Sequence, residues 1–249
     1  MTRRPRQLSL SLPATPQWGG RRDGAGRKPG LRRRDPHAIR PPLASRHPCH
    51  VTLRVRRDVP SLRSVRFVRE FERSLREGCD RGRFRVVHYS LQSNHVHLIV
   101  EAASTRDLAC GMKSLGSRLA RAVNRVARRR GQVLSDRYHL QVLRTPREVR
   151  NAIAYVLLNA RKHAMQVRGV VSRSLAVDPA SSGRWFDGWR EAITRSHDPP
   201  AVTKPRTWLL AHGWKRWTLV SIEEVPGLRR SIQGRRTRGA RPAPLAATA

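Results

Sequence analysis

Hydrophobic and polar positions change their spacing several times along the middle of the chain, and each change predicts a new element. Residues 50–55 alternate apolar and polar side chains, which is typical of a half-buried strand. Apolar residues at spacings of three and four predict a helix over 62–77. Two further strands, 84–91 and 95–101, are separated by a three-residue link, which indicates a hairpin.

The next stretch continues the alternation of elements. We predict an amphipathic helix over 105–129, a strand over 137–144 and a last core helix that runs to about residue 163. That helix opens at 145–148 with a Thr cap, Pro at the first helical position and an acid in the first turn. The element order predicts an α+β fold, a ferredoxin-like split β-α-β sandwich whose antiparallel sheet carries two helices on one face. The additional helix would cover part of the free face.

Composition divides the chain into segments. Hydrophobic residues make up 38% and aromatic residues 5% of the 249, which is low for one core built from the whole chain. The aromatic residues Trp185 and Trp189 in the third segment either stack on bases or belong to the core. The predicted segments are a disordered basic arm (1–46), a core domain (47–165), appended short helices (166–228) and a disordered tail (229–249).

The charge balance indicates the partner. Lys and Arg number 52 against 17 Asp and Glu, a formal charge of +35. Such a charge favours nucleic acid, whose phosphates would neutralise it. We expect Arg118, Arg121 and Arg125 of the second helix, and Arg137, to contact DNA. For the three helix arginines, a merely solvated helix face is an equal alternative.

Cysteine and apolar patterns suggest a compartment. The three cysteines, Cys49, Cys79 and Cys110, are odd in number and widely spaced, so they fit a reducing environment. His47 and His50 beside Cys49 suggest zinc, but no fourth ligand is apparent. No apolar run is long enough for a membrane span or a secretory signal. We therefore predict a cytoplasmic, nucleoid-associated protein without membrane contact.

The strand over 95–101 carries the first candidate chemistry. Period-two geometry places His95 and His97 on one face, together with Glu101, and apolar residues on the face toward the two helices. Adjacent imidazoles bind Mn²⁺ or Zn²⁺ readily. The alternative is two histidines on a solvated strand face. Glu101 either binds the metal or pairs with an arginine, and we favour the ion pair. His88 on the neighbouring strand either lines the pocket or is packed, and we favour the packed histidine.

The last core helix carries the second set of candidate catalytic residues. Tyr155 and Asn159 are four residues apart and share a helix face, so the amide can complete a metal shell while the phenol acts as a nucleophile. The alternative is a core tyrosine with its hydroxyl at the surface. Tyr138 is a rival nucleophile, although it lies in a predicted strand with no ligand four residues later.

These two motifs carry a resemblance. Residues 47–163 resemble the single-tyrosine His-hydrophobic-His transposases, in particular the REP-associated tyrosine transposases, through Asn94-His95-Val96-His97-Leu98 and Tyr155-Val156-Leu157-Leu158-Asn159. The family usually has Pro after the helix asparagine and Met-Pro before the Asn-His pair. Here Ala160 and Gln92-Ser93 stand at those places. These departures do not involve the proposed ligands, so they concern the branch of the family more than the activity.

The resemblance implies a function. His95, His97 and Asn159 would bind Mg²⁺ or Mn²⁺, and Tyr155 would attack single-stranded DNA beside hairpins or palindromes and form a 5′-phosphotyrosine link. The enzyme would cleave and rejoin DNA as a monomer or homodimer. The alternative is a domesticated, non-catalytic binder of structured single-stranded DNA or RNA. A plasmid-mobilising or replication nickase shares the histidine pair but usually belongs to a larger chain.

Overall fold

The structure is a computed structural model, and it describes residues 40–78, 80, 82–169, 177–194 and 196–227. The predicted tail (229–249) and all but the last seven residues of the predicted arm (1–46) lie outside this part of the chain. The strands within it are β1 (Cys49–Arg54), β2 (Phe84–Leu91), β3 (His95–Ala102) and β4 (His139–Val142). The helices are α1 (Val65–Arg76), α2 (Thr105–Val126), α3 (Pro146–Leu157), α4 (Asn159–Arg168) and α5 (Trp208–Ala211), with 3₁₀ helices at Ser182–Trp185 and Gly213–Arg216.

The four strands form one antiparallel sheet in the order β2-β3-β1-β4. This is the strand order of the ferredoxin-like sandwich, so the predicted fold class is confirmed. The hairpin between β2 and β3 is closed by a hydrogen bond of 2.8 Å from the Gln92 amide to the His95 carbonyl. In the pairing of β1 with β3, Thr52 lies opposite His97.

The two faces of the sheet pack against different elements. Val96, Leu98 and Val100 of β3 belong to the core cluster that contains the buried residues of α1 and α2. Ile99 belongs to a second cluster with the buried residues of α3 and of the segment 186–222. The predicted alternation of β3 is therefore confirmed, and the histidine face is the one that α3 covers.

Helix ends differ from the predicted ones where local hydrogen bonds set them. α1 begins at Val65 rather than at residue 62, because the Ser64 side chain accepts a hydrogen bond from the Phe67 amide and caps it. α2 ends at Val126 rather than at 129, and Arg128 takes a left-handed φ of 49°. The capping box at Thr145 and Glu148 is present as expected.

The single last helix predicted over 145–163 was wrong, because the chain breaks at Leu158 into α3 and α4. Leu158 has φ −107° and ψ 16°, outside the helical range. Val156, Leu157 and Leu158 are all buried. The Leu158 amide still donates to the Ala154 carbonyl at 3.0 Å, and the Lys162 amide donates to the Leu158 carbonyl at 3.1 Å, so α4 follows α3 directly. Tyr155 thus lies in the last turn of α3, and Asn159 begins α4.

The segment 177–227 packs on this core. The Leu91 amide donates to the Ala180 carbonyl at 2.8 Å, and the Thr203 amide donates to the Val86 carbonyl at 3.0 Å, so the segment covers the edge strand β2. Trp214 is buried in the same cluster as α3. Trp189 is also buried, and Trp185 packs partly buried against the core, as the core interpretation of these two residues expects. Within the described residues, no helix combines the length and apolarity needed to cross a bilayer.

Candidate active site

The two histidines of β3 converge on one point. The Nε2 atoms of His95 and His97 lie 2.9 Å apart, with the rings nearly perpendicular at an interplanar angle of 86°. At this separation, one ring can donate its N–H to the other. Two ligands that meet at a right angle on an ion, each about 2.1 Å away, are about 3 Å apart. The pair therefore has the spacing that neighbouring metal ligands require.

The other nitrogen of each ring is held by a neighbour. His95 Nδ1 lies 2.7 Å from Asn94 Oδ1, and His97 Nδ1 lies 3.1 Å from Thr52 Oγ1 and 3.2 Å from His50 Nε2. The Asn94 oxygen only accepts, so His95 carries its proton on Nδ1 and leaves the Nε2 lone pair free. Such partners on the outer nitrogen fix the tautomer and the ring orientation of histidine ligands.

Burial keeps these imidazoles neutral. Desolvation, with the neighbouring His95 and His50 rings, lowers the pKa of His97 to about 2. Desolvation, with His163 and Arg54, lowers the pKa of His95 to about 4. Desolvation also lowers the pKa of His50 to about 4. Neutral rings at physiological pH present the lone pairs that a metal ion needs.

Tyr155 of α3 lies against this pair. Its ring centroid is 5.1 Å from that of His97 and 5.6 Å from that of His50, both in edge-to-face contact. The Lys162 ammonium lies 4.6 Å from the centroid of the tyrosine ring, a cation–π contact. Tyr155 is partly exposed. Its ring thus lies beside two neutral imidazoles and one cation.

Asn159 is the third predicted ligand. It is fully buried at the start of α4, and neither its Oδ1 nor its Nδ2 has a hydrogen-bond partner in the described part of the chain. An unpartnered buried amide costs free energy, about 1–3 kcal/mol for one unmade hydrogen bond. A metal ion bound through Oδ1 would offset part of this cost.

The donor set fits a divalent ion with oxygen and nitrogen ligands. Two imidazole nitrogens and one amide oxygen suit Mn²⁺, and leave room for phosphate oxygens or water. Among the described residues, His, Cys, Asp and Glu side chains form no group of three or more that could hold a metal ion. The third predicted ligand, the Asn159 amide, is of another residue type.

Comparison with known proteins finds a similar family. Residues 44–156 match the family model described as "Transposase IS200 like". Because this part of the chain resembles that family, we call it the transposase domain. The match ends one residue after Tyr155 and contains the histidine pair. No curated protein matches the chain.

The transposase domain also has remote structural neighbours. One is the REP-associated tyrosine transposase bound to a REP hairpin, with 14% identity and a TM-score of 0.42 over 52% of this chain and 74% of that chain. Another is a candidate transposase from Deinococcus radiodurans R1, with 13% identity and a TM-score of 0.33 over 45% of this chain and 87% of that chain. The fold assignment made above depends on the strand order of this chain itself.

Sequence reasoning missed three residues that contact the candidate site of the transposase domain. His50 contacts both His97 and Tyr155, Lys162 contacts Tyr155, and the ring centroid of His163 lies 6.2 Å from that of His95. The ferredoxin-like order makes β1 the neighbour of β3, and alternation places His50 on the histidine face. That signal could have identified His50, which was considered only for zinc.

Two other predicted residues have structural roles. Glu101 accepts hydrogen bonds from the amides of Arg206 and Thr207 and from Thr207 Oγ1, and lies 3.7 Å from Arg85, so the expected ion pair is present. It ties the start of α5 to the sheet. His88 is buried against Phe186, with ring centroids 5.3 Å apart, as expected of a packed histidine.

The predicted DNA-binding arginines of α2 lie on the layer that covers the other face of the sheet. Arg118 donates to the Ser74 carbonyl at 3.1 Å, and Arg125 pairs with Glu70 at 2.5 Å. Arg121 is exposed. Arg137 is partly buried and precedes β4. Their contact with DNA stays a prediction.

Tyr138 is the rival nucleophile. The Arg40 guanidinium lies over its ring, with the guanidinium carbon 3.7 Å from the ring centroid. Its ring packs against the core cluster of α1 and α2. Burial raises the pKa of its hydroxyl. The contacts of Tyr138 therefore differ from those of Tyr155, which lies against the histidines.

Proposed function

We propose that the protein is a metal-dependent transposase that cleaves and rejoins single-stranded DNA, with Tyr155 as the nucleophile. The observation that carries this proposal is the contact between the Tyr155 ring and His97, whose Nε2 atom meets that of His95 at 2.9 Å. A phenol beside two converging imidazoles, with an unpartnered buried amide four residues later in the chain, supports phosphoryl transfer by a tyrosine.

The chain's own groups account for the covalent step. Tyr155 Oη forms a bond to phosphorus as the bond from phosphorus to the 3′ oxygen breaks, and the phenol proton leaves to solvent while the 3′ oxygen takes up a proton. The products are a 5′-phosphotyrosine link and a free 3′-OH. Because the phosphodiester is exchanged for a phosphoester of similar energy, a second 3′-OH can reverse the step without ATP.

His95, His97 and Asn159 would hold Mg²⁺ or Mn²⁺. When bound, the ion neutralises negative charge on the non-bridging oxygens of the phosphate. Asn94 and Thr52 keep the two rings oriented for this role through their contacts with the Nδ1 atoms. Lys162 places a cation beside the phenol, where negative charge develops on the attacking oxygen.

The proposed substrate is single-stranded DNA flanked by hairpins or palindromes. The charge of +35 supports a polyanionic partner, and the sequence resemblance supports the hairpin. One chain carries all four candidate residues, which is compatible with action as a monomer; a homodimer is equally compatible with the fold.

The test is covalent attachment. A 3′-labelled hairpin oligonucleotide with unpaired flanks would be incubated with the full chain and Mn²⁺, Mg²⁺ or EDTA, and separated on a denaturing gel. The label is placed at the 3′ end because a 5′-phosphotyrosine link retains the fragment that carries this end. We expect a labelled protein band only with metal, and none with Tyr155→Phe. The matched control is Tyr138→Phe, which removes the other candidate hydroxyl and should leave the band unchanged.

The pattern of outcomes separates the alternatives. A band that persists in Tyr155→Phe and disappears in Tyr138→Phe assigns the nucleophile to Tyr138. Tight hairpin binding without any band under all metal conditions leaves the non-catalytic binder of structured single-stranded DNA or RNA. An identical band in EDTA removes the metal from the proposal.

A further inference from the structure

Exposed tryptophans mark the surface of the segment that follows the transposase domain. Trp208 is 50% exposed and Trp217 is 55% exposed, whereas Trp214 between them is buried. Tryptophan is usually buried over most of its area, so an exposed ring of this size indicates a contact surface. Leu219, 39% exposed, extends the same surface.

Each exposed ring has an arginine beside its face. The Arg147 guanidinium lies 5.6 Å from the Trp217 ring centroid, and that of Arg216 lies 5.0 Å from the Trp208 ring centroid. An aromatic ring combined with arginine is the arrangement by which proteins hold unpaired nucleotides, because the base stacks and the cation meets the phosphate. The two rings differ in one respect, since Trp217 borders a cleft whose lining does not include Trp208.

That cleft, which we call the tryptophan cleft, has a volume of about 700 Å³ and lies between the first turns of α3 and residues 217–225. This volume is within the range of pockets that hold small ligands. Its wall combines one aromatic face with hydrogen-bonding and charged side chains: Arg147, Arg150, Asn151, Arg190, Trp217 and Ser221.

Carboxylates also line the cleft, and most of their oxygens are already bonded. Arg150 holds Glu224 through two hydrogen bonds of 2.5 and 2.6 Å. Glu191 accepts from Ser221 Oγ at 2.7 Å and from the Ile222 amide at 2.9 Å. Glu223 is exposed at the rim and offers an acceptor that suits a base edge.

Of the three arginines in the wall, Arg150 is bonded to Glu224. Arg147 and Arg190 are exposed, and neither forms an ion pair with a carboxylate of the described residues. The cleft therefore offers one stacking face, free cations for a phosphate and polar atoms for a base edge. This combination fits a nucleotide better than it fits the apolar surface of a protein partner.

We propose that the tryptophan cleft binds an unpaired nucleotide of the DNA substrate, with the base stacked on Trp217 and the phosphate at Arg147. This inference rests on the proposed function, since it takes single-stranded DNA as the substrate. Arg147 and Tyr155 are both on α3, eight residues apart, which is about 12 Å along the helix axis. One helix thus carries both the cleft and the nucleophile, so a bound nucleotide fixes the position of the strand relative to Tyr155.

The experiment measures binding in the Tyr155→Phe background, so that cleavage does not interfere. Fluorescence anisotropy would compare a labelled hairpin that carries unpaired thymidines at both ends with the same hairpin without them. We expect Trp217→Ala to weaken binding of the extended hairpin by about 5- to 150-fold, the range for one lost base stack, and that of the blunt hairpin by less than about twofold. Trp217→Phe should retain most of the affinity.

Trp208→Ala is the matched control, since it removes an equally exposed ring with its own arginine outside the cleft. It should leave both affinities within about twofold. Arg147→Ala provides a second variant that leaves the Trp217 ring in place. It should also weaken binding of the extended hairpin and leave binding of the blunt hairpin unchanged. Thermal unfolding followed by circular dichroism checks that each variant is folded.

Other results would overturn the proposal. They are an unchanged affinity in Trp217→Ala and Arg147→Ala, an equal loss for both hairpins, or a loss of self-association in sedimentation of Trp217→Ala, which would make the cleft an interface between copies of the chain. The wild-type adduct assay is read separately. If Trp217→Ala weakens binding but the wild type forms no adduct, the nucleotide site stands and the proposed catalysis is rejected. If the adduct forms but Trp217→Ala binds normally, the catalysis stands and the nucleotide site is rejected.

Discussion

The two faces of β3 show how one strand serves two purposes. Val96, Leu98 and Val100 are completely buried against α1 and α2. His95 and His97, on the other face, contact each other and the tyrosine helix. One face provides stability through apolar burial, and the other places two imidazoles beside a tyrosine.

The arginines near each face follow the same division. On the α1–α2 layer, Arg118 and Arg125 are bonded to the Ser74 carbonyl and to Glu70. On the α3 side, Lys162 contacts a phenol and Arg147 lies beside an exposed indole, and neither has a carboxylate partner among the described residues. Cations that are already paired stabilise the fold, whereas those beside aromatic rings remain available for a ligand.

The largest expected effect separates the two faces at adjacent positions. His97→Ala should lower the affinity for Mn²⁺ by more than about 100-fold and abolish the adduct, because it removes a ligand rather than an outer partner. The free energy of unfolding should change little, since the ring lies in a polar pocket. Isothermal titration calorimetry with Mn²⁺ measures the affinity, and undiminished binding would exclude His97 as a ligand.

Leu98→Ala is the control on the opposite face. The side chain is completely buried, so truncation should reduce the free energy of unfolding by about 2–5 kcal/mol, measured by denaturant unfolding. The fraction that remains folded should still bind Mn²⁺ with wild-type affinity. If Leu98→Ala and His97→Ala weaken metal binding equally, the division between the faces is not functional.

A smaller effect is expected from the group that orients His95. Asn94→Ala removes the acceptor 2.7 Å from His95 Nδ1, so the ring loses its fixed tautomer. Loss of an outer-shell partner typically costs 10- to 100-fold in metal affinity, and the exposure of Asn94 favours the lower end, about 10-fold. The control is Ser93→Ala, its exposed neighbour. Equal Mn²⁺ affinities for both variants would mean that Asn94 does not position the ring.

Much of this division could be predicted from the sequence, because it depends on local periodicity. The alternation of residues 95–101 determined which side chains of β3 face the helices on each side of the sheet. The strand order also followed from the sequence of elements. These features depend on pairings between neighbouring residues and on the few topologies that such elements allow.

The remaining features depend on contacts between distant parts of the chain. The contact of His50 with His97 arises from the pairing of β1 with β3, and no local pattern marks it. The break at Leu158 is marked by no Gly or Pro, so the sequence pattern alone does not indicate it. The hydrogen bonds of Glu101 to residues 206 and 207 bring in a segment about a hundred positions away.

The pH dependence of stability tests the burial on the α3 face. Burial lowers the pKa of His88 to about 4, below the ordinary value of 6.5. The unfolded chain therefore binds the proton first, and stability that is present above about pH 6.5 is lost as the pH falls toward about 4. We expect His88 to contribute about 1–3 kcal/mol to this loss.

Urea unfolding between pH 4 and pH 7 measures this loss. His88→Asn should make the decrease shallower, although the buried His50, His95 and His97 still contribute to it. The control is His212→Asn on the surface, which changes no buried group. An identical slope for wild type and His88→Asn would show that the His88 ring is solvated in the folded state.

The smallest effect concerns the arginines of α2. Arg121 is exposed, so if this layer also contacts the DNA backbone, Arg121→Ala should weaken binding only a few-fold, and should reduce the slope of log affinity against log salt concentration by about one. Arg118→Ala is the control, because its guanidinium is already bound to the Ser74 carbonyl, so it should leave that slope unchanged and cost about 1 kcal/mol of stability. An unchanged salt slope in Arg121→Ala would make the α2 face a solvated surface and confine DNA contact to the side of the sheet that carries the histidines.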